Sequence, residues 1–454
     1  MPAGFSLFRF KRNNPGEITA WAFFDFANSA FATVILAVLY NKYYAGVVAG
    51  GPEGVLLGAV RIPGAAMLAF VGAAAMILVA LSTPILGVLS DLTGRKKLLL
   101  GAYTLVGCFA TALMMTVDAR EWIWGGFLFV LAQLGFSGGN VFYNALLIDI
   151  TEPEDYGKVS GIGWAWGYIG GGLLLLLNLI MLQSPETLGL PTGTFSLGDC
   201  FFSVSIWWIL FSLPLFLRVR ESRPAVVKRT HLLKESLRIL SGTLRKVKSL
   251  PELTKFFIAF LIYNDGVETV IIMAAVFGDQ ELHMENGELI LFFLMIQGIA
   301  FFGSLFFGWL VERLGNRRTI LISLAIWCLV LVWAWGLGWL GNPVREFWAL
   351  GVITALVMGG TQAASRSLQA FLIPPAHASE FFSFFGISGK FASAIGPLVY
   401  GLAILLTGSL RIAMLTLLAF FVIGFLVLWQ VNERSGREQA LAFGVKELKP
   451  SQGE

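Results

Sequence analysis

The chain has 454 residues, 57% of them hydrophobic and 13% charged, with a mean hydropathy of +0.77. That balance excludes a water-facing globule for most of its length and places the chain in a bilayer. The formal net charge of +4 is small, and where its cations fall makes it topological rather than a mark of nucleic-acid affinity.

In chain order, Phe5–Arg12 is short and basic. The apolar stretch after Glu17 is too long for a signal-peptide core and lacks a small-residue cleavage site, so it is expected to stay as the first helix. Apolar stretches of about 20 residues or more, each able as a helix to cross a hydrocarbon core about 30 Å thick, recur about twelve times. They fall at 18–42, 66–89, 98–117, 122–149, 158–182, 199–219, 254–277, 289–310, 319–340, 347–372, 380–406 and 411–431. Continuous apolar runs such as Leu173–Leu177, without the alternation of a membrane barrel, predict helices. The expected fold class is therefore an all-α polytopic membrane protein.

A large part of the chain is stated twice. Gly87, Leu89, Asp91, Gly94, Lys96 and Lys97 close the second stretch, and 221 positions later Gly308, Leu310, Glu312, Gly315, Arg317 and Arg318 close the eighth. The same offset carries Gly138 and Gly139 onto Gly359 and Gly360, and Pro153 onto Pro374. Such a parallel duplication suits a transporter that rocks one half against the other.

With the N-terminus placed inside, Arg9, Lys11, Arg12, Arg95, Lys96, Lys97, Lys158, Arg313, Arg317, Arg318, the run Arg218–Lys255 and Arg434, Arg437, Lys446 and Lys449 share one side. The other side keeps Lys42, Arg61, Arg120, Arg345 and Arg411. This asymmetry predicts both termini in the cytoplasm, with the basic stretch Lys228–Lys248 as a solvated, lipid-facing loop. Compact loops suggest a bacterial inner membrane.

Cys108, Cys200 and Cys328 lie far apart in or at the edges of apolar stretches, and His231, His283 and His377 fall in loops, so neither metal site nor disulfide is expected. No nucleotide-binding loop and no nucleophile–base set is visible, so no cofactor, direct ATP use or enzymatic activity is expected. The cysteines read most simply as packing residues.

The run Gly87-Val-Leu-Ser-Asp91-Leu-Thr-Gly94-Arg95-Lys96-Lys97 resembles the signature loop of the major facilitator superfamily. Three further stretches resemble the family of the autophagy-related vacuolar amino-acid effluxer and its bacterial relatives. They are Trp21-Ala-Phe-Phe-Asp25-Phe-Ala-Asn28-Ser29-Ala-Phe31, Tyr143-Asn144-Ala-Leu-Leu-Ile-Asp149, and Gly360-Thr-Gln362-Ala-Ala-Ser365-Arg366-Ser367 followed by Glu380-Phe381-Phe382. The resemblance spans nearly the whole chain. It implies two six-helix bundles, at 18–219 and 254–431, around a central cavity, with alternating access. A cytoplasmic segment at 1–17, a basic linker at 220–253 and a tail at 432–454 complete the expected organisation.

The signature loop has its own physics. Gly94 permits a tight reversal, and Arg95, Lys96 and Lys97 can then be held against acids or helix ends. Asp149 at the end of the fourth helix and Glu221 after the sixth are the acidic candidates, and Arg220-Glu221-Ser222-Arg223-Pro224 resembles the end-of-helix-6 motif of superfamily sugar porters. Gly87, Asp91, Gly94, Arg95, Lys96, Asp149, Glu221, Gly308, Glu312 and Arg317 are accordingly the expected gating set. Plain anchoring of cations on the inside is the simpler alternative for the basic run.

An intramembrane charge costs at least about 2.5 kcal/mol, so Asp25, Asp265, Glu268, Arg366 and Lys390 call for a purpose. Asp25, Asn28 and Ser29 share a helical face by i, i+3, i+4 spacing, and Asp265, Glu268 and Thr269 repeat the pattern in the seventh helix. Neighbouring carboxylates in low dielectric favour proton uptake, so Asp265 and Glu268, with Asp25, are the expected proton-coupling residues. Lys390 and Arg366 are placed for a substrate anion, although Arg366 or Lys390 merely neutralising an acid is the bland alternative. Asn28, Tyr143, Asn144, Gln362, Ser365 and Trp164 complete the expected binding set, with Trp164 and Tyr168 equally explicable as packing. Gly163, Gly167 and Gly171 read as close-packing positions.

Cations on one side of a cavity and acids on the other suit a zwitterion. The expectation is a monomeric secondary transporter for a small polar or zwitterionic solute, an amino acid first, coupled to protons and surrounded by lipid. The alternatives are a lysolipid or lipid-headgroup translocator and a non-transporting membrane sensor.

Overall fold

The computed structural model describes residues 14–51, 53–58, 60–62, 64–221, 242, 246–284, 286–378, 381–382, 384–385, 395–407 and 409–448. Helix α1 (Pro15–Ala30) starts where Asn14 Oδ1 accepts the Gly16 N–H at 3.0 Å and Pro15 presets the first turn. It continues as a π-helix over Phe31–Val38. The following turns are pinned by tyrosine hydroxyls, since Tyr40, Tyr43 and Tyr44 donate to the carbonyls of Gly125, Val117 and Trp122 at 2.8, 2.7 and 2.9 Å.

A short hairpin, β1 (Val55–Leu57) and β2 (Val60–Ile62), follows with Val55 opposite Ile62. The sequence reading did not foresee it, because three-residue strands carry no measurable alternation. Gly58, with φ +61°, supplies the left-handed residue of its tight turn.

The remaining first-half helices are α2 (Gly64–Thr93), α3 (Lys96–Leu113), α4 (Trp122–Ile150), α5 (Tyr156–Gln183) and α6 (Leu197–Arg218). The second half holds α7 (Pro251–Gln280), α8 (Asn286–Leu314), α9 (Asn316–Trp335), α10 (Pro343–Leu372), α11 (Ile395–Thr407), and α12 (Leu410–Thr416) with α13 (Leu418–Trp429) as one span. Helix α14 (Glu433–Leu448) closes the described chain. Described helical residues fall in each of the predicted apolar stretches, with 386–394 of the stretch 380–406 outside the described residues, and among the described residues nine helical stretches are long and apolar enough to cross a membrane.

Large apolar side chains such as Phe109, Leu217 and Leu406 are exposed. In water such a coat would drive aggregation, whereas in a bilayer it is the lipid-facing surface. Within the first half α1 packs on α5 and α6, and α3 packs on α4; within the second, α8 packs on α10 and α7 on α13. The halves meet mainly where α5 lies against α8 and α10. At that seam a Cβ on Gly161 would stand 2.6 Å from the Ser304 carbonyl oxygen, so α5 and α8 approach nearly backbone to backbone. Gly163, Gly167 and Gly171 instead turn toward α1, where Trp21, Ser29 and Thr33 leave no room for a larger residue.

Candidate functional site

The two duplicated loops define one face of the molecule, here the loop face. Gly94, with φ +61°, reverses the chain after α2, and Gly315, with φ +85°, does so after α8. Lys96 Nζ meets Asp149 Oδ2 at 2.9 Å, with the two side chains 6% and 5% exposed. The Lys97 backbone N–H donates to the Glu221 carboxylate, and Lys97 Nζ donates to the Val219 carbonyl at 2.6 Å. Burial pushes the Glu221 carboxyl up, against the opposing pull of Lys97.

The second loop repeats the arrangement. The Arg317 N–H donates to Glu433 Oε1 at 2.6 Å, and Arg317 Nη1 donates to the Val431 carbonyl at 2.7 Å. Each half thus ends in Val-x-Glu, whose acid takes a loop N–H and whose valine carbonyl takes the loop cation. Glu433 was missed from sequence because Val431 lies 212 positions after Val219, so the 221-residue offset of the loops passes it by. Aligning the ends of the two last helices directly would have found it.

These bonds stay within one half each. Lys96, Asp149 and Glu221 of the expected gating set, with Lys97, belong to the first half, and Arg317 of that set, with Glu433, to the second, so among the described residues these bonds brace a half and do not join the two. Arg95 stands exposed ahead of α3, Glu312 is exposed near the end of α8, and Gly87 is buried in α2. Gly308 lies on the seam, where a Cβ would stand 3.0 Å from the Gly157 carbonyl oxygen. The side chain of Asp91 and the whole of Lys390 lie outside the described residues.

Arg366 links the halves. Its Nη1 meets Asp25 Oδ2 at 3.0 Å and Asn144 Oδ1 at 3.4 Å, its Nε donates to Ser160 Oγ at 2.9 Å, and its Nη2 donates to the Ser160 carbonyl at 2.7 Å. The guanidinium lies 4.9 Å from the Trp21 ring centroid, 5.2 Å from Trp164 and 5.8 Å from Tyr143. Of five guanidinium N–H donors, this environment engages most. Asp25, Tyr143, Asn144, Trp164 and Arg366, assigned from sequence to proton coupling and substrate binding, therefore form one buried cluster around a charge pair. Tyr168 adds a neighbouring cross-half bond, donating to Gln362 Oε1 at 2.5 Å.

The α7 carboxylates separate. Asp265 is buried and accepts the Gly396 N–H at 2.7 Å, which holds the first turn of α11. Glu268 accepts from Asn264 Nδ2 at 3.1 Å and faces a central cavity of about 220 Å³. The cavity lies between α2, α4, α7, α10 and the segment of Phe382 and Phe385. Thr83, Ser137, Asn140, Asn144, Asn264, Glu268 and Gln369 supply its polar lining, and Phe136, Phe260, Phe382 and Phe385 supply its aromatic walls.

Asn144 and Glu268 are the residues of the expected sets that line it. Asn28 instead bonds Asn140 Oδ1 at 2.8 Å behind the wall, and Ser365 bonds the Tyr263 hydroxyl at 2.7 Å. Asn264 and Gln369 were not singled out, yet Asn264 stands four residues before Glu268 and Gln369 four after Ser365, on the faces already in view. A larger open groove of about 960 Å³ lies at the loop face beside Glu17, Lys97, Arg220 and Glu221, away from the space between the halves.

Comparisons with known proteins agree with this architecture. The family described as vacuole effluxer Atg22-like matches residues 13–441. An uncharacterized MFS-type transporter of Bacillus subtilis, YxiO, is 31% identical over 421 residues, covering 92% of this chain and 95% of its own length. Autophagy-related protein 22-1 of Aspergillus clavatus is 28% identical over 334 residues, covering 67% of this chain, and the chain spans 54% of that longer protein. Among solved structures, the MFS proton:xylose symporter XylE superposes with a TM-score of 0.69 at 11% identity, covering 94% of this chain and 98% of that one. The human organic anion transporter MFSD10 superposes at 0.64 with 18% identity, covering 91% and 99%. At such identities these structures speak for the fold alone. The chain is a multi-pass membrane transporter of the major facilitator superfamily and belongs to the Atg22-like family.

Proposed function

We propose that this transporter moves a small polar or zwitterionic solute, an amino acid first, by proton-coupled alternating access. The observation that carries the reading is the 220 Å³ cavity between helices of both halves, lined by Glu268 and a ring of amides. It is smaller than a typical drug-sized pocket of about 300–1,000 Å³, which favours a small solute over a lysolipid. The family's description as a vacuole effluxer supports the movement of a solute, and Glu268 and Asp265 supply titratable groups within the membrane.

In this reading the halves rock about the seam of α5 with α8 and α10. The Val-x-Glu braces keep each half rigid, and the Arg366 cluster holds the loop face shut. The excess of cations on that face supports a cytoplasmic loop face in an inner membrane, with both termini inside.

Counterflow in proteoliposomes tests the proposal. Labelled amino acids are added singly outside vesicles preloaded with a mixed pool, with and without an inward proton gradient, for wild type, Glu268→Gln and Asp265→Asn. Gradient-sensitive accumulation in wild type, blunted in Glu268→Gln, is expected. Flat traces for every amino acid from folded, inserted protein would remove the amino-acid reading.

A further inference from the structure

We propose that Glu268 is the recognition element of the central cavity and takes the ammonium end of the solute, so that this site selects amines and not free carboxylates. The inference rests on the transporter reading above and names the chemistry of its site.

Among the described residues that line the cavity, Glu268 is the one ionisable group. Among the described residues its partner is Asn264 at 3.1 Å, a neutral amide that orients the carboxylate without cancelling its charge. Of the two cations assigned to substrate from sequence, Lys390 lies outside the described residues and Arg366 is 7% exposed and bonded to Asp25, Ser160 and Asn144. Asn144 is common to that cluster and to the cavity wall, so the guanidinium sits behind the amide. Among the described lining residues a carboxylate meets amides and the repulsion of Glu268.

An ammonium meets the opposite conditions. It pairs with Glu268, finds amide oxygens for its remaining N–H groups, and lies among Phe136, Phe260, Phe382 and Phe385, whose rings attract cations. The same rings accommodate a short apolar side chain.

The test uses the full-length protein. Isoamylamine and phenethylamine, which lack a carboxylate, are compared with 4-methylvalerate and 3-phenylpropionate, which lack an amine, as stabilisers in thermal unfolding and as inhibitors of amino-acid counterflow. Amines are expected to raise the unfolding temperature and inhibit, while carboxylates do neither at matched concentration. Glu268→Gln should lower amine affinity about 30-fold or more, and Glu268→Asp, which keeps the charge, should retain part of it.

Protection by carboxylates, no effect of either class, or equal amine binding by Glu268→Gln would overturn the assignment. Should Glu268→Gln not fold, the wild-type comparison of the two ligand classes still decides. Amino-acid counterflow inhibited by carboxylates and not by amines would sink this inference while leaving the amino-acid reading intact. Amine binding without counterflow of any amino acid would sink that reading and leave this one.

Discussion

Asp25 on α1 and Arg366 on α10 bond at 3.0 Å across the two halves of the molecule, both nearly free of solvent contact. A buried ion pair is weak evidence for stability, yet breaking one partner of it is costly because a charge is left alone in low dielectric. Its position makes it a cross-half fastening: the halves cannot separate on the loop face until Arg366 gives up Asp25 and Ser160.

Removal of either member alone should destabilise strongly. Asp25→Asn or Arg366→Gln is expected to cost about 3–5 kcal/mol, and the double variant should recover a large part of the loss. Thermal unfolding of the four proteins in detergent measures the cycle. Strict additivity would show that the two side chains act separately.

The seam makes a steric prediction. Gly161→Leu puts bulk where even a Cβ stands 2.6 Å from the Ser304 carbonyl oxygen, so α5 and α8 must part. The variant should expose the loop-face end of the seam, read as faster labelling of a cysteine introduced at Ser160 in a background without Cys108, Cys200 and Cys328. Unchanged labelling would mean that the seam does not keep that face closed.

The two braces should be separable from the seam. Glu221→Ala and Glu433→Ala each leave a loop N–H without its acceptor while the loop cation keeps its valine carbonyl, and each is expected to lower thermal stability by about 1–3 kcal/mol. Since the described bonds stay inside one half, labelling at position 160 should change little. Large exposure of Ser160→Cys in either variant would instead give the loops a direct part in closure.

Glu221 also carries a pH signature. Burial holds its carboxyl above the usual carboxylate range in the folded protein, so the folded state takes up this proton more readily than the unfolded chain. Its contribution is complete below the unfolded value and is lost as pH rises through the folded one. Stability should therefore slip slightly across the window just above the ordinary glutamate range, and Glu221→Gln should remove that slope. A slope of the opposite sign in wild type, restored to flat by the same variant, would mean that Lys97 dominates over burial.

The helices were legible because the bilayer imposes a length and a composition that leave a long record in the chain. The loop partners Asp149 and Glu221 were within reach because both stand at helix ends on the face of the basic loop, where topology leaves few acids to choose from. The cavity was harder. Period 3.6 put Asp265 and Glu268 on one face, but a span that meets neighbours on several sides can turn one acid to α11 and the other to the cavity, and sequence spacing does not say which. Arg366 shows the same limit: its value to the chain as an intramembrane cation was visible, while its commitment to Asp25, 341 positions away, needed three dimensions.

The π-helical stretch Phe31–Val38 gives the first helix two levers where a uniform helix would be one. Its inner lever carries Trp21 and Asp25 to the Arg366 cluster, and within the widened turns Thr33 accepts a bond from Gln297 of α8 at 3.1 Å. Wider turns are a natural place for a helix to flex. The far end of the helix thus has a joint of its own, so a solute arriving from that side can be met by movement that leaves the loop-face fastening untouched.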